Sequence, residues 1–352
     1  MTIESQVIGS CPLDCPDGCS WVITVSDGVA TRLRGNPDHP FTAGGLCKKV
    51  NPWLTHAADP ARLRQPLRRV VDKGPGVARA DAFRPISWEE ALGEIGDRLH
   101  RIIDTSGPAA IWPFAGTGNV GFIQGSGLPA GSRLWNHLGV SGHHLTICSV
   151  SGHIGLGYTM GVGAGMDPED VVEAGLVLIW GSNTLVTNQH WWPYVRAAND
   201  RGAPVVVIDP VATRTARRAD LHIAPRPGTD AALALGLCRE LIAQGLVDET
   251  FLTGSTVGFD EFARSTESWT VETTAEICGV DPRRLTELVR LLDRHRPLAL
   301  KLGQGMQRHA HGGQAARVIS CVPALLGSFD QAGGGLVYST DAPYGLNRAG
   351  AA

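Results

Sequence analysis

The cysteines place the strongest constraint on what this chain can fold into, because four of the eight lie within the first 47 residues. They follow the spacing C-x3-C-x3-C-x27-C, as Cys11, Cys15, Cys19 and Cys47. Prolines, aspartates and a glycine between the first three predict an irregular loop, in which several sulfurs can converge on one centre. The grouping of three plus one favours a [4Fe–4S] cluster over zinc, which stays open as the alternative.

The charge balance narrows the classes of partner. The 352 residues carry 31 Lys and Arg against 34 Asp and Glu, so the basic surplus typical of nucleic-acid binding is missing. The apolar runs are too short for a transmembrane helix. Residues 1–5 show no basic flank, apolar stretch or twin arginine, so we expect no export signal and a cytoplasmic location. In that reducing compartment, clustered cysteines are more readily metal ligands than disulfides.

The rest of the chain alternates short apolar runs with helical patterns. Ser87 begins a capping box that predicts a helix, and Gly107 followed by Pro108 ends it. Further helices are expected at about 192–199, 229–244 and 282–294, and strands at 109–114, 176–180, 205–208 and 298–302. This order predicts an α/β fold, in which a small N-terminal iron–sulfur segment is followed by Rossmann-like parallel-sheet domains.

One stretch, 105–166, contains a single charged residue, Arg133. It is rich in glycine and also holds His137, His143, His144, His153 and the lone cysteine Cys148. We expect it to line an interior or a large cofactor, although a buried core has the same composition. A lone cysteine is most often a small buried hydrophobic residue. Among glycine, serine and histidine, Cys148 is also a candidate thiolate ligand for a soft metal.

Two loops are candidates for nucleotide binding. The first matches G-x-G-x-x-G at 116–121, but no acidic residue follows before Asp167, so it is a weak dinucleotide signal. The second begins where the apolar run 176–180 meets Gly181, Ser182 and Asn183, and the next strand ends at Asp209. Open α/β sheets bind nucleotides at such strand ends. The helix start at 229–230 offers N–H groups to phosphate, or serves simply as a cap.

Together these motifs resemble the molybdopterin oxidoreductases of the dimethyl sulfoxide reductase type, which include formate dehydrogenases, nitrate reductases and polysulfide reductases. The matching pieces span nearly the whole chain, and the cysteine loop and P-G-T-D are the most specific. The pieces are the cysteine loop with GLCKK at 45–49, ISWEEA at 86–91, Cys148, WGSN at 180–183, IDP at 208–210 with Thr213, PGTD at 227–230, and GQGMQ at 303–307.

The resemblance implies a [4Fe–4S] cluster on the four N-terminal cysteines and a molybdenum or tungsten bis(molybdopterin guanine dinucleotide) cofactor. Lys49 corresponds to the family's lysine between cluster and pterin, and Cys148 to the position that gives the metal its protein ligand; both are catalytic candidates. The cofactor-binding residues that the resemblance implies are Gly181, Ser182, Asn183, Asp209, Pro210, Thr213, Gly228, Thr229, Asp230, Gly303, Gly305 and Gln307.

The implied function is two-electron redox chemistry on a small molecule, by oxygen-atom transfer or dehydrogenation. Single electrons would pass through the cluster to or from a redox partner protein or small carrier. Ser149 follows Cys148 where formate dehydrogenases have histidine, which disfavours formate. The alternatives are a non-redox hydratase of the same fold, an inactive iron–sulfur fragment or electron-transfer module without pterin, and a zinc-containing NAD dehydrogenase.

The resemblance also implies a domain order. Residues 1–60 would bind the cluster, 61–140 with 300–352 would form an incomplete α/β domain, and 141–299 would form a Rossmann-like cofactor domain. Enzymes of this type are usually longer, with a C-terminal portion that closes over the cofactor and excludes water. We therefore expect a fragment, a truncated product, or a chain whose remaining portion comes from a partner subunit.

Overall fold

The computed structural model describes residues 3–72, 82–114, 132–142, 146–161 and 165–339. It begins with a three-stranded antiparallel sheet, formed by β1 (Glu4–Ser10), β2 (Ser20–Ser26) and β3 (Val29–Gly35). Ser10 and Ser20 are the last register pair between β1 and β2, so the loop that joins these strands is 11–19. The first three cysteines therefore lie on one hairpin loop.

A short helix, α1 (Trp53–Ala58), follows the segment that carries Cys47. Its first residue packs on Trp21 of β2, with the ring centroids 5.9 Å apart. Trp21 and Val22 of β2 are buried, whereas β1 is largely exposed. The N-terminal sheet thus has one well-packed central strand beside the cysteine loop.

The helix predicted after Ser87 is confirmed as α2 (Trp88–Ser106). The Ser87 hydroxyl accepts a hydrogen bond from the Glu90 N–H at 3.0 Å, as a capping box requires. Gly107 ends the helix with φ of 79°, a conformation that favours glycine. A two-stranded antiparallel ribbon precedes α2, made of β4 (Leu67–Arg69) and β5 (Phe83–Pro85).

The strand predicted at 109–114 is wrong. A 3-10 turn occupies Pro108–Ala110, and residues 111–114 have no strand assignment. The Ile111 carbonyl instead accepts a hydrogen bond from the Ser141 N–H at 3.0 Å. A short apolar run becomes a strand only where a neighbouring backbone pairs with it, and periodicity does not report that neighbour.

The central element is a five-stranded sheet in the order β10–β9–β6–β7–β8, with every neighbouring pair parallel. Its strands are β6 (Leu176–Trp180), β7 (Val205–Ile208), β8 (Leu221–Ile223), β9 (Leu298–Leu302) and β10 (Gly335–Val337). The three strands predicted at 176–180, 205–208 and 298–302 are confirmed. They are buried along their whole length, as expected for a sheet covered on both faces.

Alternate residues of β6 face two different cores. Leu176, Leu178 and Trp180 belong to the larger core, together with residues of α7 (Asp230–Ala243) and α11 (Pro282–Arg294). Val177 and Ile179 belong to a second core, which includes Val195 and Ala198 of α6 (Trp192–Asp200). The helices predicted near 192–199, 229–244 and 282–294 are these three.

Further helices connect or flank these layers. They are α3 (Ser132–Leu138), α4 (Ser151–Met160), α5 (Thr184–Thr187), α8 (Glu249–Ser255), α9 (Phe259–Thr266), α10 (Val271–Cys278), α12 (Gly312–Ile319) and α13 (Cys321–Leu325). The α/β class, with a small N-terminal segment before a parallel sheet, is confirmed.

The structure has no break between domains at residue 300, where the sequence predicts a boundary. That boundary falls inside β9, which pairs with β6 on one side and β10 on the other. Residues 298–337 therefore complete the same sheet as 176–223. Backbone pairing between distant segments sets this boundary, and local composition carries no sign of it. The other domain limits stay predictions.

Two sequence features lie outside the described residues: the glycine motif at 116–121, and the histidines His143 and His144. Within the ranges that are described, no helix has both the length and the apolar character needed to cross a membrane.

Candidate metal and cofactor site

The four N-terminal cysteines meet in one cavity. Cys11, Cys15 and Cys19 from the hairpin loop line it together with Cys47 and Lys49. Val186, Thr187 and Gln189, which belong to α5 and the loop after it, close the other side. The convergence predicted from the spacing is therefore present, and Lys49 lies beside it.

Backbone hydrogen bonds hold these cysteines in place. The Cys11 N–H donates to the Cys19 carbonyl at 2.7 Å, which closes the hairpin loop on itself. Gly18 adopts φ of +54°, and the turn before Cys19 favours glycine for that reason. The Cys47 carbonyl accepts from the N–H groups of Val50 and Asn51, both at 3.0 Å.

Burial changes the acidity of the thiols. It raises the pKa of Cys15 to about 11 and that of Cys19 to about 12, and Asp17 adds to both rises. Lys49 acts in the opposite direction on Cys15. A cation bound among these sulfurs would reverse the balance, because a metal ion deprotonates the thiols that coordinate it. The donor set fits a thiolate-bound metal centre.

A polar network at the wall of the cavity, centred on Asp17, was missed by sequence reasoning. Asp17 is buried and accepts hydrogen bonds from the Asn188 side chain and from the His190 ring, at 2.7 Å to Nδ1. His190 Nδ1 also lies 3.6 Å from Cys19 Sγ. Asp17, Cys19 and His190 bring their ligand atoms within 4.8 Å of one another. The short loop Pro-Asp-Gly gives no sign of a partner some 170 residues away.

Several predicted cofactor-binding residues lie at one edge of the central sheet. Gly181 follows β6, Asp209 follows β7 and Gly303 follows β9, and the carboxyl ends of parallel strands meet at the same edge. A side chain on Gly303 would collide with the Gly181 carbonyl, so these two turns touch through their backbones. Gly305 is more open, with that carbonyl 4.0 Å from where its Cβ would lie.

Hydrogen bonds to Thr215 hold the turn after β6 in place. Ser182 is buried, and the Asn183 side-chain carbonyl accepts a hydrogen bond from the Thr215 hydroxyl at 2.9 Å. Thr215 in turn accepts from the Leu185 N–H at 3.0 Å. Thr215 was not predicted, and it holds the loop that carries the two predicted binding residues.

The turn after β7 is built by side chains that bond to their own loop. Asp209 accepts from the Val211 N–H at 2.9 Å, across the exposed Pro210. The Thr213 hydroxyl accepts from the Ala216 N–H at 3.1 Å, at the start of a 3-10 turn. Both arrangements shape the loop, so the roles of these residues toward a nucleotide stay predictions.

The residues at the start of α7 make hydrogen bonds within the protein. Thr229 donates its hydroxyl hydrogen to the Arg226 carbonyl at 2.7 Å, and Gly228 before it adopts φ of +84°. The buried Asp230 accepts a hydrogen bond from the Trp180 indole at 2.7 Å. Burial raises the pKa of Asp230. The structure thus shows Asp230 bonded to a buried residue of β6, and its role toward a cofactor stays a prediction.

Cys148 lies in a π-helical turn, Thr146–Val150, directly before α4. The Gln307 side-chain amide donates to the Cys148 carbonyl and accepts from the Gly152 N–H at 2.6 Å. The Tyr338 hydroxyl donates to the Ser149 carbonyl at 3.0 Å. Gln307 thus bonds to the backbone around Cys148, and its predicted contact with the cofactor stays a prediction. π-Helical turns are rare and frequent at functional sites.

Comparison with protein-family models identifies the family of this chain. A family model described as "Molybdopterin oxidoreductase" matches residues 62–347, and the "Molybdopterin oxidoreductase Fe4S4 domain" matches residues 5–57. The chain belongs to the molybdopterin oxidoreductase family. The second match covers all four N-terminal cysteines and supports a [4Fe–4S] cluster in this part of the chain, and the first supports a molybdopterin.

Relatives of this chain include the probable oxidoreductase YoaE of Bacillus subtilis, which is 38% identical over 93% of the chain and 47% of its own length. The dimethyl sulfoxide reductase DmsA of Escherichia coli is 30% identical over 94% of the chain and 44% of its own length. The F420-dependent formate dehydrogenase subunit alpha of Methanocaldococcus jannaschii is 26% identical, over 95% of the chain and 48% of its length.

Among solved structures, acetylene hydratase from Pelobacter acetylenicus superposes with a TM-score of 0.70 at 24% identity, over 91% of this chain and 43% of that chain. This likeness shows the fold. The chain spans about half the length of the relatives it matches.

Proposed function

We propose that this chain is the cluster- and cofactor-binding part of a molybdenum or tungsten oxidoreductase that reduces or oxidises a small molecule by two electrons. The observation that carries the proposal is the single cavity lined by four cysteines and Lys49. One wall of that cavity, 186–189, continues directly from the predicted nucleotide turn at Ser182 and Asn183. The proposed cluster and cofactor sites are therefore neighbours.

In this proposal Cys11, Cys15, Cys19 and Cys47 hold the [4Fe–4S] cluster. Lys49 lies on the exposed side of the same cavity, where its positive charge favours the thiolate form of Cys15. A cation beside the cluster also favours an added electron. We assign Lys49 to the path between cluster and pterin.

The guanine dinucleotide parts of the cofactor would lie along the carboxyl edge of the sheet. Ser182, Asn183 and Asp209 offer hydroxyl, amide and carboxylate groups there. The glycines at 181 and 303 let the two turns come close, which suits the approach of a ligand to backbone N–H groups. Pro210, Thr213, Gly228 and Thr229 belong to the loops beside that edge.

Cys148 would give the metal its protein ligand. A thiolate suits a soft metal centre, and Gln307 and Tyr338 hold the backbone carbonyls of Cys148 and Ser149. When bound, the metal and its dithiolenes supply the two-electron redox chemistry. The chain's contribution is to hold Cys148 in one orientation and to keep the cofactor near the cluster.

Oxygen-atom transfer is favoured over formate oxidation for two reasons. Ser149 stands where the formate dehydrogenases carry histidine, and the relative named as a dimethyl sulfoxide reductase is more similar than the formate dehydrogenase, at 30% against 26% identity. Reduction of an oxide X=O takes up two electrons and two protons and releases X and water. A redox protein or small carrier would supply the electrons one at a time through the cluster.

The experiment compares Cys148→Ser with the wild type, both purified anaerobically. Reduced-dye oxidation with dimethyl sulfoxide and dye reduction with formate measure the two reactions, and metal-edge X-ray absorption counts the sulfur ligands. We expect Cys148→Ser to keep its iron, lose one sulfur ligand at the molybdenum or tungsten, and lose turnover. Cys321→Ser, at the start of α13, is the matched control. Unchanged sulfur count and turnover in Cys148→Ser would contradict the assignment.

A further inference from the structure

A buried carboxylate, Asp17, lies between Cys15 and Cys19, and the proposed function makes no use of it. Its side chain is 2% exposed. A buried carboxylate costs free energy unless donors surround it, so its presence here depends on compensation by specific partners.

Those partners come from the loop after α5. Asp17 accepts hydrogen bonds from the Asn188 side-chain amide, from the His190 backbone N–H at 3.3 Å and from His190 Nδ1 at 2.7 Å. Because the acceptor is a carboxylate, the ring proton is assigned to Nδ1. Three donors compensate the burial of this one carboxylate. The Asp17 carboxylate and its negative charge thus lie inside the cysteine loop.

The same loop contacts the cysteines themselves. The Cys15 thiol donates to the Thr187 carbonyl at 3.4 Å, and His190 Nδ1 lies 3.6 Å from Cys19 Sγ. A side chain on Gly45 would lie 2.7 Å from the His190 ring, so that ring also packs against the segment before Cys47. Residues 187–190 therefore position Asp17 and border the segments of three of the four cysteines.

The charge of Asp17 lies close to these sulfurs. Asp17 is two residues from both Cys15 and Cys19, and its carboxylate oxygen and the Cys19 sulfur lie within 4.8 Å of each other. A fixed negative charge at that distance opposes an electron added to a cluster on these sulfurs.

We propose that Asp17 sets the reduction potential of the cluster. The buried negative charge of Asp17 lowers the reduction potential. Hydrogen bonds from Asn188 and His190 fix the position of the carboxylate and offset part of its charge. Charge, hydrogen bonding and solvent exposure around the sulfurs are the features through which a protein tunes such clusters. Asp17 and His190 are positioning residues, and this inference rests on the cluster site proposed above.

The test is a redox titration of the anaerobically purified full chain, followed by the electron paramagnetic resonance signal of the reduced cluster. Asp17→Asn removes the charge at nearly constant volume. We expect its midpoint potential to rise by about 59 mV, which corresponds to a tenfold change in the one-electron equilibrium constant. His190→Ala removes a donor from Asp17, so we expect a shift in the opposite direction. A purely structural role for both residues does not predict opposite signs.

Asp14→Asn is the matched control, since Asp14 carries the same charge on the same loop but is exposed. Water and salt screen an exposed charge, so we expect a shift less than half that of Asp17→Asn. If Asp17→Asn does not retain iron, Asn188→Ala is the second variant. It leaves the charge in place with one donor fewer, and we expect a lower midpoint.

The outcomes separate this inference from the proposed function. Iron in the wild type, with midpoints of Asp17→Asn and Asn188→Ala equal to that of the wild type, would overturn the role of Asp17 and leave the cluster site standing. A wild type without iron would overturn both. Stoichiometric zinc that is lost in His190→Ala would identify Asp17, Cys19 and His190 as a mononuclear site, and would also overturn both.

Discussion

Gln307 and Cys148 lie 159 residues apart in the chain, yet the side-chain amide of Gln307 donates a hydrogen bond to the backbone carbonyl of Cys148. The same amide accepts from the Gly152 N–H, so it bridges the π-helical turn and the first residues of α4. Gln307 is almost fully buried. The orientation of Cys148 therefore depends on a turn that follows β9, the strand next to the central strand β6 of the five-stranded sheet.

Gln307→Glu tests this dependence at nearly constant volume. The carboxylate can still accept from Gly152 but cannot donate to the Cys148 carbonyl. We expect unchanged iron content and a 10- to 100-fold loss of turnover, roughly the effect of losing an outer-shell partner of a metal ligand. Gln331→Glu, on an exposed turn, is the control. Equal turnover in Gln307→Glu and the wild type would contradict the positioning role.

Cys47→Ser tests the fourth ligand of the proposed cluster. Because Cys47 comes from a different segment than the hairpin-loop cysteines, its loss should leave an incomplete centre. We expect clearly fewer than about four iron atoms per chain and a weaker cluster absorbance. Cys321→Ser should keep the wild-type iron content. Full iron loading of Cys47→Ser would mean that another residue supplies the fourth ligand.

The hydrogen bond between Trp180 and Asp230 should contribute to stability. Both residues are buried, and removing one partner leaves the other unsatisfied. We expect Asp230→Leu to lower the free energy of unfolding by about 2 kcal/mol in urea titrations. A double-mutant cycle with Trp180→Phe isolates the pair, and Glu276→Leu on an exposed site should change stability by less than about 0.5 kcal/mol. Additive effects of the two changes would contradict a coupled pair.

Cys321 should be an inert packing residue. Burial raises its pKa to about 11, from an ordinary thiol value of 9.0. Only the thiolate reacts with iodoacetamide, so at pH 8 we expect on the order of 100-fold less reactive form than for an ordinary cysteine, with the rate rising as the pH approaches 11. Mass spectrometry of native and urea-unfolded protein measures the two rates. Labelling of Cys321 at the unfolded rate in the native protein would contradict the raised pKa of this half-buried thiol.

The elements that the sequence predicts correctly are those set by local chemistry. Ser87 and Gly107 mark the ends of α2, Asp281 begins α11, and the buried strand β6 is a continuous apolar run. The cysteine spacing also predicts convergence, because three of the four sulfurs share one short loop. In these cases the residues that make the structure are neighbours in the chain.

What the sequence does not predict depends on distant contacts. The donors of Asp17 lie 171 and 173 residues away, and the partner of Cys148 lies 159 residues away. Asp230 bonds to the Trp180 indole, which lies on a different element and 50 residues earlier in the chain. β9 joins the sheet through backbone pairing, which no local pattern reports.

Metal and pterin analysis of the anaerobically purified chain tests the central claim most directly. The account predicts about four iron atoms per chain, together with molybdenum or tungsten and the fluorescence of an oxidised pterin. Iron without pterin would confirm the cysteine site and contradict cofactor binding by this chain. Zinc without iron or pterin would contradict the account, because the cavity of Cys11, Cys15, Cys19 and Cys47 would then hold a different metal.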